Sequence, residues 1–573
     1  MQTQEFETTL DGLLKSQFSY ERLVGFVISL EPEDKNRLEI ECRKKTTNLE
    51  SLWLGGALAS TEGNFVEAVE RFCRLLEMEP KQPVALVGLG IAMSNLGQSD
   101  AGAECYSEAI LADPHCVEAY FYRGNHRFEQ GRFDEAIADY SSAITLAPEF
   151  LQAHNNMGMA LTRMGQHTQS LAILEKAVSL GPSQPAAHCN LGVAFFNCNE
   201  FEKALASYER ALTINPAYAE VHNNRANALM ELGRTQEAIE SYDCAIAHKP
   251  EYVEATWNKA LALLTIGDFA QGWRLHECRW DRPAFAPIKR QFRQPVWLGE
   301  ESLVGKSILL HCEQGMGDAI QFCRYAPLVK ALGATVILEV HPALMGLMAS
   351  LAGVDTIVRK GDTLPKFDFH CPLMSLPLAM GTELSTVPAP SAYLMPNPDR
   401  IAKWRSRIGE QPSTGLIGLV CSGDPLHRND HNRTIPLTEM LTHLPKGLQY
   451  VILQRDIRES DRAVIHAHPH ILSFEGQISD FADTAALCCL VDQVISVDTS
   501  VAHLSAALGK RTHILLPICS DWRWLRVRED SPWYPSARLY RQTAVGQWAS
   551  VIDGVGKVIL DAQKNRAANL QPY

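Results

Sequence analysis

The stretch Ser496-Val-Asp-Thr-Ser-Val-Ala-His-Leu-Ser-Ala-Ala-Leu-Gly509 predicts a buried strand that turns directly into a helix on small hydroxyl residues. The strand is the β-branched run from Gln493 to Val497, and the helix that follows has one apolar side. The first turn of such a helix has unpaired backbone N–H groups and the positive end of the helix dipole, which suit the phosphates of a nucleotide. An ordinary capped helix in an α/β domain is the alternative for this stretch taken alone.

The rest of the C-terminal half alternates strands and helices in the same manner. The predicted strands are 307–310, 335–340, 355–358, 416–421, 450–453, 493–497 and 513–516. This alternation predicts two doubly wound α/β domains, residues 286–395 and 396–573, joined by a proline-rich connector. Ligands of such domains bind at the carboxyl ends of the strands, so we expect a cleft between the two sheets there.

The N-terminal half repeats with a period of 34 residues. Proline recurs at positions 80, 114, 148, 182, 216 and 250, and a small residue recurs in phase at positions 56, 90, 124, 158, 192, 226 and 260. This length and these residue types are those of the tetratricopeptide repeat, a pair of helices with a turn between them. We expect a solenoid of six full units and a partial seventh over residues 49–285, with a helical cap over residues 1–48. Trp273, Trp280 and Trp297 are expected to pack the last repeat against the next domain.

One position of the repeat predicts a binding surface. Asparagine stands two residues before the small residue in four successive repeats, at Asn156, Asn190, Asn224 and Asn258. An amide both donates and accepts hydrogen bonds, so a row of amides can hold the backbone of an extended peptide. The row resembles the asparagine ladder of the O-GlcNAc transferase solenoid, and a protein acceptor in the groove is what that resemblance implies. Solvated side chains without a ligand are the alternative.

Composition excludes some classes of protein. The 573-residue chain is 46% hydrophobic and 21% charged, with a net charge of −13, which disfavours binding to nucleic acid by phosphate neutralisation. The acidic start of the sequence and the lack of a long apolar run predict no leader and no membrane span. The 15 cysteines have no paired Cys-x-x-Cys spacing, so we expect reduced packing residues and a cytoplasmic protein.

A second turn has the residues of a ligand site. The segment His311-Cys-Glu-Gln-Gly-Met-Gly-Asp318 lies between a predicted strand and a predicted helix. Gly315 and Gly317 allow the backbone to approach a ligand, and Asp318 stands at the start of the helix. Capping of that helix is the alternative role for Asp318.

From about Trp297 onward the chain resembles bacterial glycosyltransferases related to the lipopolysaccharide heptosyltransferases, in forms fused to tetratricopeptide repeats. The matching segments are Glu313–Tyr325, Asp480–Ala486, Val497–His503 and Asp530–Pro535. The resemblance implies a GT-B fold of two Rossmann-like domains. Fused proteins of this family include flagellin glycosyltransferases, which transfer a nonulosonic acid from its CMP-activated form to Ser or Thr. The chain departs from its relatives at Cys421, where they commonly have Trp, so the contacts of Ser422 and Gly423 are expected to differ.

The resemblance also implies roles for single residues. Asp318 matches the carboxylate proposed as the base, and Asp498, Thr499, Ser500 and Val501 match the loop that binds the nucleotide phosphate. On chemical grounds, Arg433 and Arg455 are candidates for stabilising the leaving group, with merely solvated side chains as the alternative, and Ser422 and Gln454 are candidates for binding the nucleotide-sugar. His503 is expected to pack within its helix. No Asp-x-Asp pair stands at the cleft positions, so we expect no cofactor and no metal, with the nucleotide-sugar as co-substrate.

Three hypotheses follow for function. The first is a protein O-glycosyltransferase that modifies Ser or Thr of an acceptor such as flagellin. The second is a heptosyltransferase-like enzyme with a lipid or saccharide acceptor, and the third is a repeat scaffold with a degenerate transferase region. The sugar, the nucleotide, the acceptor, the stereochemical outcome and the oligomeric state do not follow from these motifs.

Overall fold

The computed structural model describes residues 19–44, 49–410, 415–427 and 429–569. It divides into two compact units within one helix, between Arg225 and Ala226, and each unit is described by itself. The expected cap at residues 1–48 lies partly outside the described residues, and the predicted boundaries near residues 285 and 395 stay predictions. Among the described residues, no helix combines the length and the apolar character that crossing a membrane requires.

The first unit consists of helices. Two of them precede the repeats, α1 (Tyr20–Ser29) and α2 (Pro32–Lys44). Five antiparallel pairs follow: α3 (Leu49–Thr61) with α4 (Phe65–Met78), α5 (Pro83–Asn95) with α6 (Ser99–Ala112), α7 (Val117–Glu129) with α8 (Phe133–Leu146), α9 (Leu151–Arg163) with α10 (His167–Leu180), and α11 (Pro185–Asn197) with α12 (Phe201–Ile214). The predicted tetratricopeptide repeats are confirmed here.

The small residue of each repeat is needed because the paired helix passes close to it. A Cβ atom added to Gly124 would lie 2.7 Å from the Tyr140 ring, and one added to Gly192 would lie 2.5 Å from the Tyr208 ring. The two helices of a pair therefore pack with an aromatic ring against bare backbone. Asn199 takes the left-handed conformation (φ 60°) at a turn where other repeats have glycine, which asparagine tolerates better than most residues.

The second unit begins with the last repeats. Helix α13 (Ala219–Glu231) spans the division, and α14 (Thr235–His248), α15 (Val253–Ile266) and the short α16 (Phe269–His276) follow. Trp273 of α16 is buried against Trp522, Phe322 and Trp533, with ring centroids 5.0, 6.0 and 6.5 Å away. The last repeat thus packs onto the α/β region through this tryptophan, as the sequence predicted.

Two parallel sheets form the rest of the second unit. The first has the strand order β3-β2-β1-β4, with β1 (Ser307–His311), β2 (Thr335–Val340), β3 (Thr356–Arg359) and β4 (Phe369–Pro372). Its helices are α17 (Met316–Phe322), α18 (Ala326–Ala331), α19 (Met345–Met348) and α20 (Leu376–Ala379). Ser307 pairs with Thr335 and Ile308 with Phe369, so β1 lies in the middle of the sheet.

The second sheet has the order β10-β9-β8-β5-β6-β7. Its strands are β5 (Leu416–Val420), β6 (Gln449–Ile452), β7 (Ile471–Leu472), β8 (Gln493–Val497), β9 (Thr512–Leu516) and β10 (Ala537–Arg541). Its helices are α21 (Pro398–Ile408), α22 (Asp430–Arg433), α23 (Leu437–His443), α24 (Glu459–Ala467), α25 (Phe481–Leu490), α26 (Ser500–Ala507) and α27 (Ala549–Asn569). Strands β5, β8 and β9 are buried along their whole length, as expected for parallel strands covered on both faces.

Candidate functional site

The Asp318 carboxylate lies at the start of α17, after the loop that leaves β1. Its Oδ2 atom accepts a hydrogen bond of 2.8 Å from the backbone N–H of Gly315, so the side chain caps the helix. The capping role that the sequence left open is therefore present. The capping bond leaves the Asp318 carboxylate able to accept further hydrogen bonds, because each oxygen of an ionised carboxylate can accept more than one.

Gly317 allows the two predicted turns to meet. A Cβ atom at this position would lie 3.1 Å from Cδ2 of His503 and 3.6 Å from Cα of Ser500. Helix α17 of the first sheet thus packs directly against α26 of the second sheet, with bare backbone at the contact. The structure gives Gly317 a packing reason, and that packing brings Asp318 close to the turn at Ser500.

Arg523 links Asp318 to the second sheet. The sequence places its segment, Asp521–Trp524, beside the expected cleft but gives Arg523 itself no role. Its Nη2 donates to Oδ1 of Asp318, its Nη1 donates to Oδ1 of Asp521 at 2.8 Å, and its Nε donates to Oε1 of Gln321 at 2.8 Å. The guanidinium also lies 4.3 Å from the centre of the Trp522 ring. Arginine is suited to such a site, because its planar fork of five donors can bond several acceptors at once. The aromatic residues on both sides of Arg523 are the sequence signal for a buried, stacked guanidinium at this position.

Burial and neighbouring charges alter the carboxylates of the site. Burial raises the pKa of Asp318, and the Arg523 guanidinium opposes that rise. Burial and the charge of Asp521 raise the pKa of Asp498 to about 6, against the opposing effects of Trp524, Arg433 and Arg523. Perturbed carboxyl groups that meet at one place are typical of a functional site.

Arg433 and the start of α26 form a cationic turn. The Nη1 atom of Arg433 donates to the backbone carbonyl of Asp498 at 2.9 Å, and its Nη2 lies 2.7 Å from where a Cβ of Gly423 would stand. Arg433 Nε is buried and has no hydrogen-bond partner among the described residues. The Thr499 side chain does not cap α26. A guanidinium and the N-terminus of an eight-residue helix therefore lie together, which is an arrangement that suits an anion.

Ser422 and Gln454 are buried behind this turn. The Gln454 amide accepts from the backbone N–H of Cys421 at 3.0 Å and donates to Oγ of Ser422 at 3.0 Å. These bonds join the ends of β5 and β6. The structure thus places both residues in the support of the turn, beneath the surface.

Arg455 lies apart from the cationic turn, whereas His503 belongs to the first turn of α26 and is packed inside it. The Arg455 side chain is 60% exposed and pairs with Asp456, its neighbour in sequence, so the structure does not bring it to the other site residues. His503 is buried, bonds through Nδ1 to the Tyr534 hydroxyl at 2.9 Å and stacks on the Trp524 ring. This is the packing role that its position in the helix suggested.

The asparagines of the ladder are half-buried and hydrogen-bonded between inner helices. In the first unit, Asn156 donates to Asn125 at 2.8 Å and Asn190 donates to Asn155 at 2.9 Å, while the Asn224 amide lies 3.9 Å from the Cys189 sulfur. In the second unit, Asn258 donates to Asn227 at 3.3 Å. An amide has two N–H donors and an acceptor oxygen, so one such bond orients it and leaves capacity for a ligand.

Models of the tetratricopeptide repeat match this chain over residues 87–149, 127–191 and 219–252, and a TPR repeat model matches residues 194–233. The chain is 26% identical to Protein FlbA of Caulobacter vibrioides over 317 residues, which are 51% of this chain and 52% of FlbA. It is 32% identical over 146 residues to the barley (Hordeum vulgare) protein described as a probable UDP-N-acetylglucosamine–peptide N-acetylglucosaminyltransferase, SPINDLY. That match covers 23% of this chain and 15% of SPINDLY. The chain therefore spans about half the length of FlbA and a smaller part of SPINDLY.

Solved structures are similar to part of this chain. YrrB, described as a TPR protein with an unusual peptide-binding site, is 21% identical with a TM-score of 0.29, over 34% of this chain and 100% of YrrB. PilF of Pseudomonas aeruginosa is 20% identical with a TM-score of 0.33, over 39% of this chain and 98% of PilF.

Proposed function

We propose that this protein is a glycosyltransferase that transfers a sugar from a nucleotide-sugar to Ser or Thr of a protein acceptor. The observation that carries the proposal is the meeting of the Asp318 carboxylate with the cationic turn of Arg433 and α26, at the contact of α17 with α26. Partial similarity to FlbA and to the probable transferase SPINDLY, together with the tetratricopeptide repeats, supports it. The two parallel sheets would then be the Rossmann-like halves of a GT-B fold.

The residues of the site divide into two roles. Asp318 would take the proton of the incoming hydroxyl, because a base must lie within hydrogen-bond reach of the group that it deprotonates. Arg433 and the N–H groups of Ser500 and Val501 would stabilise the charge that develops on the leaving phosphate. Asp498, at the carboxyl end of β8, would face a hydroxyl of the donor. Arg455 is assigned no role in this proposal, because its side chain points to solvent and pairs with Asp456.

The repeats would present the acceptor. A row of oriented amides can hold the backbone of an extended peptide without regard to its sequence, so the acceptor would be selected as a polypeptide. We propose flagellin as the first acceptor to test, a nonulosonic acid as the first donor sugar, and the cytoplasm as the compartment. We expect transfer to persist in EDTA, because the positive charge for the leaving group comes from protein groups in this proposal.

The test is the intact mass of flagellin and of total protein after co-expression with this chain in cells that make nucleotide-sugars. A discrete increase in mass with the wild type, and none with Asp318→Asn, would support the proposal. The matched control is Asp456→Asn, an exposed carboxylate that pairs with Arg455, which is expected to leave the increase unchanged. Nucleotide-sugar turnover without any protein of raised mass would instead favour a lipid or saccharide acceptor. If the protein neither binds nor turns over the nucleotide-sugar, the scaffold hypothesis is favoured.

A further inference from the structure

Helix α1 does not lie where a repeat would place it. By the 34-residue period Tyr20 is the counterpart of Leu54, so α1 would be the inner helix of a preceding repeat, and stacked repeats contact only their neighbours. Yet a Cβ atom at Gly88, two repeats further on, would lie 2.9 Å from Cε2 of Tyr20. Beyond Gly88, Tyr122 of the third repeat packs against the buried apolar cluster that contains Tyr20, Leu23 and Val27. Helix α1 therefore lies across the inner helices α3 and α5 and shares an apolar cluster with Tyr122 of α7.

The inner surface of these three repeats differs from that of the later ones. The position that carries asparagine from Asn156 onward is occupied by Leu54, Gly88 and Tyr122 in the first three repeats. Leu54 is buried, and Tyr122 stacks on Tyr106 at 5.8 Å. The groove thus has an apolar part over the first three repeats, and the amide ladder begins where that part ends.

The side of α1 that faces this surface is apolar. Tyr20, Leu23 and Val27 are at most 5% exposed, while Glu21 and Ile28 on the other side are exposed. The spacing of the three buried residues, i, i+3 and i+7, is that of an amphipathic helix lying in a groove. Tyr20 also packs on Phe72, with ring centroids 6.1 Å apart.

Helix α1 is too short to be stable without the groove, although Lys35 of α2 also donates to the Ile28 carbonyl at 3.2 Å. It has ten residues, and helices shorter than about 12 to 15 residues are marginal on their own in water. Leu30 follows in an extended conformation and Pro32 begins α2, so α1 joins the rest of the chain through a two-residue connection.

We propose that α1 is a displaceable intramolecular ligand of the groove over the first three repeats. The partner that competes with it is an amphipathic helix with apolar side chains at i, i+3 and i+7. An extended polypeptide is restricted, while α1 is bound, to the ladder that starts at Asn156. The proposal is independent of the glycosyltransferase activity, and it is tested without any acceptor.

The experiment releases α1 and then replaces it in trans. In full-length protein, Leu23→Ser with Val27→Ser is expected to raise hydrogen exchange in residues 20–29 to that of an unfolded segment, while α9 to α12 keep their protection. A fluorescent peptide of residues 19–30 should then bind this variant at least tenfold more tightly than the wild type, where the tethered helix competes at high effective concentration. The control peptide has the same two substitutions and should bind neither protein. Equal binding to both proteins, or no binding to the variant, would overturn the proposal.

A second measurement does not depend on how the released variant folds. Tyr122→p-benzoylphenylalanine, with α1 otherwise native, should on irradiation give an adduct within residues 19–29 of the same chain. The same substitution at Asn190 should give none, because α1 does not extend that far. An adduct from position 122 on any other segment, or no adduct there, would refute the position of α1.

Discussion

At the scale of single residues, the site depends on a pair that links the two sheets. Asp318 lies on the α17 side and Arg523 lies on the loop that follows β9, so the ion pair joins the turn of one sheet to the loop of the other. Arg523 also bonds Asp521 and Gln321, and it therefore fixes where the Asp318 carboxylate stands. In the proposed reaction, the Asp318 carboxylate would be held in this position when it takes the proton of the acceptor hydroxyl.

Arg523→Lys keeps the charge but removes the fork of donors. Lysine cannot bond Asp318, Asp521 and Gln321 at once, and a small misplacement of a reacting group can cost about 100-fold in rate. We expect kcat of transfer to fall by roughly that factor while nucleotide affinity stays within about twofold. Steady-state kinetics and nucleotide titration measure the two quantities.

Arg541→Lys is the control for that substitution. Arg541 bonds Ser520 and the Trp524 carbonyl in the same loop, without contact to Asp318. An equal fall in kcat for both variants would show that general disorder of the loop, rather than the position of Asp318, causes the loss.

A buried imidazole pair makes stability depend on pH. His311 and His370 are hydrogen-bonded at 3.2 Å, and burial lowers their pKa values to about 3 and about 4. In the unfolded chain both imidazoles have the ordinary histidine pKa of about 6.5, so below that pH the unfolded chain binds more protons than the folded protein. The stability that the neutral pair supports is therefore complete above about pH 6.5 and is lost as the pH falls towards 4. The loss is at most about 1.4 kcal/mol per pH unit for each imidazole.

His370→Gln should reduce by one the number of protons that the protein takes up on unfolding at low pH. The melting temperature of the variant is expected to fall less between pH 7 and pH 5 than that of the wild type, as measured by thermal unfolding at matched ionic strength. His115→Gln, at an exposed position, should leave the slope unchanged. A slope that is the same in His370→Gln as in the wild type would contradict the neutral, buried pair.

At the scale of elements, the contact of α17 with α26 decides whether the two turns meet. Gly317→Ala would place a methyl group 3.1 Å from the His503 ring, which is buried against Trp524 and Tyr534. Overpacking of this kind costs about 1–3 kcal/mol, and here it would also widen the gap between Asp318 and the Ser500 turn. We expect lower stability together with at least a tenfold loss of transfer.

Gly554→Ala serves as the comparison for Gly317→Ala. It lies in α27, and an added Cβ would meet nothing closer than 3.9 Å. Removing a glycine from a helix interior should leave activity unchanged and add up to about 1 kcal/mol of stability. Thermal unfolding and transfer kinetics are measured for both variants. Wild-type kinetics in Gly317→Ala would contradict the requirement for a close approach of α17 to α26.

The elements were largely predictable because their signals are local. The 34-residue spacing predicts each helix pair, and the β-branched runs predict β1, β2, β3, β5, β6, β8 and β9. The strands β4, β7 and β10 were missed. Phe369-His-Cys-Pro372 contains a proline, and Ile471–Leu472 has two residues, so neither has a strand pattern of its own, and both pair only because a neighbouring strand offers an edge.

The site was less predictable than the fold because part of it depends on contacts between residues that are distant in sequence. The turns of Asp318 and Asp498 carry local motifs, whereas Arg523 acquires its role only by contact with Asp318, 205 residues earlier. Arg455 was a candidate for stabilising the leaving group, but its side chain is 60% exposed and pairs with Asp456. Position along the sequence identifies which loops follow the strands, but not which arginine of those loops turns inward.

At the scale of the molecule, the loop that carries Arg523 also contacts the repeats of the second unit at two points. Arg526, three residues after Arg523, donates to the Met230 carbonyl at the end of α13 at 3.1 Å, and Trp522 packs on Trp273 of α16. The loop that positions Asp318 is therefore anchored on the helices that would carry the acceptor.

Arg526→Ala tests whether this anchor matters for protein acceptors in particular. The substitution removes the bond to Met230 without touching Asp318, Arg433 or Arg523, so hydrolysis of the donor by water should stay within about twofold of the wild type. Transfer to a protein acceptor should fall at least tenfold, a factor that corresponds to about 1.4 kcal/mol of lost positioning, because the acceptor and the base would no longer share one rigid support. The ratio of protein transfer to donor hydrolysis, measured in one reaction by intact mass and by released nucleotide, is the decisive quantity. If both rates fall together, the loop supports the chemistry alone, and the repeats contribute only the surface on which the acceptor lies.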